Sequence, residues 1–288
     1  MPSTQITKRK QLNVLITGFG PFAYVKSNPS WECIAGLHNT TLTTAGSSQK
    51  IHITCLGPLL VTYSAIISLV PHLHGRPPSY PDLVEILHER TSLDPDIRAP
   101  ENGWDLILHL GAGFNGGIEV EKAAHKTGYD AADAEKELPP IVGGSSKSVT
   151  GMSKKDKLER QRAGQSGKGT SSGATRGYGV AYEEFPEELK TDIDVDDLIA
   201  FLKKQLKEER IKPSNDAGHY LCDFIYYGSL AESQRTLFGS SQKEKNMKNR
   251  SKILFMHTPY ELGQPFSLEE LTEIVKQAVG WICTGEGV

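Results

Sequence analysis

The residues most able to do chemistry are a cysteine, a histidine and a pair of glutamates, each in a distinctive setting. Cys222 lies in DAGHYLCDF, residues 216–224. Gly218 lets the chain bend there, Asp216 can act as a cap, and the pattern from 219 to 234 reads as a helix. A helix N-terminus carries partial positive charge and N–H groups that stabilise a thiolate. The same N–H groups can hold the oxyanion of a tetrahedral intermediate. The commoner role of a lone cysteine is that of a small buried hydrophobe. That role suits Cys33 in an apolar helix, Cys55 in a strand and Cys283 near the tail. His257, in ILFMHTPY, follows an apolar strand and precedes a Thr-Pro turn. Strand ends facing loops are where α/β enzymes carry catalytic groups. A histidine there can deprotonate a thiol and protonate a leaving amine, although an ordinary loop hydrogen bond is its commoner use. In GGIEVEKAAHKTGYD (116–130), strand alternation puts Ile118, Val120 and Lys122 on one face, with Glu119 and Glu121 on the other. A carboxylate from this face can orient an imidazole, and a solvated edge is the plainer alternative.

A fourth stretch, ITGFGPFAYVKSNPSWE (16–32), ends a strand in Gly-Phe-Gly-Pro-Phe and starts a helix at Asn28-Pro29-Ser30. Phe19 and Phe22 on that loop suit either a flat apolar pocket or packing beneath the loop. GxGxxG is absent, so the turn is not a dinucleotide fingerprint.

These residues need a scaffold, and the rest of the chain supplies one. Strand-like runs occur at 12–17, 51–56, 104–110, 118–124 and 252–257. Helical patterns lie at 30–37, 62–70, 194–208, 219–234 and 267–282. Residues 194–208 place Val195, Leu198, Ile199, Leu202 and Leu206 at helical spacing, led by acids and closed by lysines. Ser267 and Glu270 occupy capping-box positions. Strands alternating with helices predict a three-layer α/β/α sandwich around a largely parallel or mixed sheet. Residues 11–288 read as one α/β domain. Two polar segments interrupt it. Residues 134–179, rich in Gly, Ser, Lys and Arg, read as a mobile insertion, and 239–251 as a smaller one.

Bulk properties narrow the function further. A formal net charge of −3 argues for neither a nucleic-acid binder nor a membrane-surface protein. No apolar run reaches bilayer-spanning length, and the first residues lack a signal-peptide shape, so a cytosolic location is expected. The four cysteines are far apart with no CxxC, which predicts free thiols rather than zinc ligands.

In order along the chain, TGFGPF, NPSWE, GIEVEKAAH, DAGHYLCDFIYYGSL and FMHTPY resemble pyroglutamyl peptidase I, the pyrrolidone-carboxylate peptidase family of cysteine peptidases. The resemblance covers most of the chain outside the insertions. It implies a phosphorylase/hydrolase-like α/β/α fold and removal of an N-terminal pyroglutamyl residue from peptides, without metal or cofactor. It assigns Cys222 as nucleophile, His257 as general base and acid, and Glu121 as the group orienting the histidine. Phe19, Phe22 and Tyr220 match the aromatic walls around the lactam ring. The chain departs from the pattern in two places. It has no Arg after the Gly-rich turn GAGFNGG, and it has Lys126 where the family usually has Asn. The altered turn keeps two alternatives open. One is a related amidase with changed acyl specificity. The other is a binding or scaffold protein that uses its basic insertion.

Overall fold

A computed structural model describes residues 11–23, 25–44, 46, 49–88, 97–113, 116–144, 174–235 and 250–288. Its strands are β1 (Leu12–Phe19), β2 (Thr40–Thr43), β3 (Lys50–Leu59), β4 (Leu106–Ala112), β5 (Ile118–Glu121), β6 (Ala123–His125), β7 (Ile141–Gly144), β8 (Ala174–Arg176), β9 (Glu188–Lys190), β10 (Ile211–Ser214) and β11 (Lys252–Thr258). Its helices are α1 (Pro29–Ala35), α2 (Tyr63–Leu73), α3 (Leu83–Ile86), α4 (Val195–Leu206), α5 (Leu221–Arg235) and α6 (Leu268–Thr284).

Seven strands form one sheet in the order β10-β5-β11-β4-β1-β3-β2. The pairs β1/β3, β1/β4, β4/β11 and β5/β10 are parallel, while β5/β11 and β2/β3 are antiparallel. The central strands are buried on both faces, which is why they read as apolar runs rather than alternating ones. Strand alternation divides their side chains between two cores. Leu15, Ile107, Ile253 and Phe255 pack with α2, α3 and α5. Val14, Ile16, Leu108, Leu254 and Met256 pack with α1, α4 and α6 on the opposite face. This is the mixed, mostly parallel α/β/α arrangement that the sequence predicts.

The helix ends follow their sequence signals. Asp194 caps α4 by accepting from the Asp197 N–H. Ser267 and Glu270 form a reciprocal capping box on α6. The 118–124 run differs from expectation. It is two strands, with β5 in the large sheet and β6 paired instead to β9. Lys122 lies at the junction, where its backbone N–H donates to the Ser214 carbonyl.

The long polar segment begins and ends in ordered structure. β7 and β8 pair antiparallel, and Tyr178 is buried against α5. Its ring stacks on Phe224 with centroids 4.2 Å apart, and its hydroxyl donates to the Phe224 carbonyl at 2.8 Å. Residues 145–173 lie outside the described residues. In the smaller polar segment, 250 and 251 are described. Ser251 is buried, and its hydroxyl donates to the Trp104 carbonyl. No helix among the described residues is long and apolar enough to cross a membrane.

Gly144 faces Ala174 across the β7/β8 pair, so the chain leaves and re-enters at neighbouring points. Joining them by a tight Asn-Gly turn in place of 145–173 is expected not to lower the melting temperature, because a shorter connection costs less chain entropy to close. A clear fall, read by circular dichroism, would show that the removed segment packs on the rest of the protein.

Candidate active site

Cys222 is the second residue of α5. The first helical hydrogen bond runs from the Phe224 N–H to the Tyr220 carbonyl, so Tyr220 stands at the cap position. Asp216 lies five residues before Leu221, the first residue of the helix. Its side chain accepts from the Gly218 N–H at 2.9 Å, closing a turn one step earlier. Gly218 has φ +82°, the bend expected of it. Unlike an ordinary surface helix, α5 is buried on every side, from Leu221 to Ser233. The nucleophile candidate therefore sits at the start of a rigid central rod.

The sulfur of Cys222 lies over Gly111, near the end of β4. A β-carbon at Gly111 would come within 2.7 Å of that sulfur and of the Phe255 ring. Gly111 is the register partner of His257 on β11, and partners in a parallel pair point to the same sheet face. The thiol and the imidazole are thus brought to one face at adjacent strand ends. Gly113, two residues on, clears room in the same way, since its β-carbon would lie 2.6 Å from the His257 Cβ. The sequence shows a Gly-Ala-Gly turn but not which side chains it makes way for. That needs the register.

His257 is 2% exposed and Glu121 is wholly buried. The His257 Nδ1 and Glu121 Oε1 are 2.7 Å apart. An ionised carboxylate only accepts, so Nδ1 carries the proton and Nε2 is left as the basic nitrogen. Glu121 is held in turn through its backbone, because the Tyr226 hydroxyl of α5 donates to its carbonyl at 2.9 Å. Glu119 shares the face of Glu121 and is the register partner of His257. Ligand atoms of Glu119, Glu121 and His257 lie within 4.8 Å of one another.

Phe19, Phe22, Tyr220 and Cys222 line one cleft, together with Asn28, Val61, Ala112 and Leu221. Its free volume is about 380 Å³, counting the space open to solvent at its mouth. Asn28 contributes little free polarity. Its amide donates to the Gly20 carbonyl, and its oxygen accepts from the Ser30 backbone and hydroxyl. That network holds the Phe19–Phe22 loop onto the start of α1. The lining roles of Asn28, Val61, Ala112 and Leu221 carry no sequence signal of their own.

The other thiols and buried histidines lie outside this constellation. Burial pushes the Cys33 and Cys283 thiols up to about 12 and raises Cys55 as well. Burial pulls His74 and His109 down to about 3, and each is tied to a hydroxyl, Ser229 and Thr17 respectively. Among them, no thiol is readily ionised near neutral pH.

Comparison with known proteins agrees with this architecture. No family profile matches the chain. Rat pyroglutamyl-peptidase 1 is 23% identical over 279 residues, spanning 95% of this chain and 93% of the relative. The human protein is 22% identical over 267 residues, spanning 92% and 87%. The pyrrolidone carboxyl peptidase of Pyrococcus furiosus superimposes with a TM-score of 0.55 at 18% identity, covering 95% of this chain and 99% of that one. Pyroglutamyl peptidase I of Bacillus amyloliquefaciens gives 0.57 at 17% identity, covering 96% and 100%. The chain is a distant, full-length homologue of pyroglutamyl-peptidase I. The solved peptidases share its fold, with the mostly parallel seven-strand sheet flanked by helices. The two departures from the family pattern fall differently. Lys126 is described, and its ammonium donates to the Phe185 carbonyl at 2.9 Å. Phe114 and Asn115 of the Gly-rich turn lie outside the described residues.

Gly111→Ala forces a methyl against both Sγ and the Phe255 ring. Overpacking of this kind costs about 1–3 kcal/mol. We expect the variant to fold with stability lowered by that order, and Cys222 to lose its labelling by iodoacetamide. Denaturant unfolding and peptide mapping read the two effects separately. Wild-type labelling of Cys222 in the variant would show that the sulfur does not rest over Gly111.

Proposed function

We propose that this chain is a cysteine exopeptidase that hydrolyses the N-terminal pyroglutamyl residue from peptides. The observation that carries the reading is the placement of Cys222. It lines an apolar cleft at a helix N-terminus, and it lies over the register partner of a histidine hydrogen-bonded to a buried glutamate. The homology to pyroglutamyl-peptidase I supplies the acyl group.

In this mechanism His257 Nε2 takes the proton of the Cys222 thiol, and Glu121 steadies the imidazolium that results. The sulfur attacks the pyroglutamyl carbonyl carbon, forming a C–S bond and a tetrahedral oxyanion. Backbone N–H groups at the start of α5 are suited to that charge. His257 then gives its proton to the departing amine nitrogen as the C–N bond breaks, leaving a thioester. Water, deprotonated by His257, attacks the thioester carbon. The C–S bond breaks, pyroglutamate leaves and the thiol is restored.

Phe19, Phe22 and Tyr220 enclose the lactam ring. A five-membered lactam is flat and uncharged, which suits apolar walls. An ordinary N-terminal ammonium is excluded because it would be buried without a partner. The reaction needs a reduced thiol, so the same reading puts the enzyme in the cytosol.

Purified protein incubated with a fluorogenic pyroglutamyl amide under reducing conditions should release the fluorophore, and Cys222→Ala should release none. Release by both proteins, or by neither when both are folded, rejects the proposal. Glu121→Gln keeps the shape of the orienting group but removes its charge. Its kcat should fall by about two orders of magnitude or more, with KM little changed. An unchanged kcat would remove Glu121 from the mechanism.

A further inference from the structure

A second cluster of ionisable side chains stands beside the cleft. His125 ends β6, His219 precedes α5, and Asp223 lies in the first turn of α5, next to Cys222. Their ligand-capable atoms lie within 4.8 Å of one another. We propose that His125, His219 and Asp223 form a binding site for a divalent transition-metal ion of the zinc type. The site stands whatever reaction the cleft performs.

The carboxylate is built in as a ligand would be. Asp223 is wholly buried. Its Oδ1 accepts from the His125 backbone N–H at 3.1 Å, and its Oδ2 lies 3.1 Å from the Tyr129 hydroxyl oxygen. The single Tyr129 hydroxyl proton is shared between that carboxylate and the nearer His125 carbonyl. These contacts fix the carboxylate without using its remaining lone pairs, as outer-shell donors do around metal sites. The third contact, His125 Nδ1 to Oδ2, is long at 3.3 Å. It lies past the ordinary range for N–H···O bonds, so an ion can replace it at little loss.

The imidazoles are placed in a matching way. The Nε2 of His125 faces Glu188 Oε2 at 4.0 Å, while Nδ1 faces Asp223. At 4.0 Å the Glu188 carboxylate is an electrostatic neighbour of that ring rather than its hydrogen-bond partner. His219 stacks beside His125 with centroids 5.0 Å apart and an interplanar angle of 27°. Space for its ring depends on Gly128, where a β-carbon would lie 2.8 Å from the His219 Cδ2. Two nitrogens and one carboxylate oxygen make a borderline-soft donor set. It favours zinc and its first-row neighbours over magnesium or calcium.

The test uses tag-free, full-length protein carrying Cys222→Ala, which removes the metal affinity of the nearby thiol. Zn²⁺ is titrated against a chromophoric chelator, and Co²⁺ absorption reports the ligand geometry. The expected result is one ion per chain, bound in the micromolar range or tighter. Adding His125→Gln or His219→Gln should each weaken it by about tenfold or more. Circular dichroism confirms that these variants remain folded. The proposal is overturned if the Cys222→Ala protein binds no stoichiometric Zn²⁺ in that range. It is equally overturned if either histidine substitution, in a folded protein, leaves the affinity unchanged.

Discussion

The buried hydrogen bond between Glu121 and His257 is the constraint on which the site depends. A carboxylate removed from water is costly unless it is paired, and losing one partner of such a pair leaves an uncompensated charge. The fold forms this pair by reversing the strand direction between β11 and β5. β5 runs against β11, whereas the other neighbours of β4 and β11 run parallel. The reversal sets the end of β5 beside the middle of β11, with Glu121 opposite Phe255 and Glu119 opposite His257. Both glutamates then share the face on which the imidazole projects.

The second constraint is the burial of α5. A surface helix slides and tilts at small cost because one face meets only solvent. Here Tyr178 covers Gly228 and Phe224, Tyr226 bonds to the Glu121 backbone, and Asp223 is fastened to His125 and Tyr129. Each contact fixes the helix to a different neighbour. The first turn, which carries Cys222, is consequently positioned from several directions.

Legibility from sequence followed burial and local chemistry. β1, β3, β4 and β11 are apolar on both faces, so their runs stand out. β2, β9 and β10 are short and partly exposed, and a four-residue stretch such as IKPS carries no periodicity to read. The 118–124 run looked continuous because apolar and polar residues alternate from Ile118 to Glu121 and no turn residue interrupts it before Ala124. Its break at Lys122 comes from competition between two sheets, which is a tertiary effect. Among the site residues, Cys222 and His257 were visible as residue types in suggestive local settings. Alternation alone could not choose between Glu119 and Glu121, since residues two apart share a face. That choice came from resemblance, and the 2.7 Å contact links Glu121 to His257. Tyr178 was hidden in a segment whose average composition is polar. A single aromatic residue changes such an average little, yet it can anchor the end of the segment.

What sequence spacing could not carry at all are relations between distant strands. Gly111 has meaning only beside its register partner, His257, 146 positions further on. His125 and Asp223 are 98 positions apart. Both relations arise because β4, β6 and β11 end near the start of α5. One short stretch of helix therefore faces the cleft through Cys222 and the opposite cluster through Asp223. Adjacent residues in the first turn of a helix point in different directions, so one buried turn can serve two separate constellations. The thiol and the carboxylate need not interact for their positions to be coupled. Cys222 and Asp223 share the first turn of α5, so the contacts that hold the carboxylate also fix where the thiol stands.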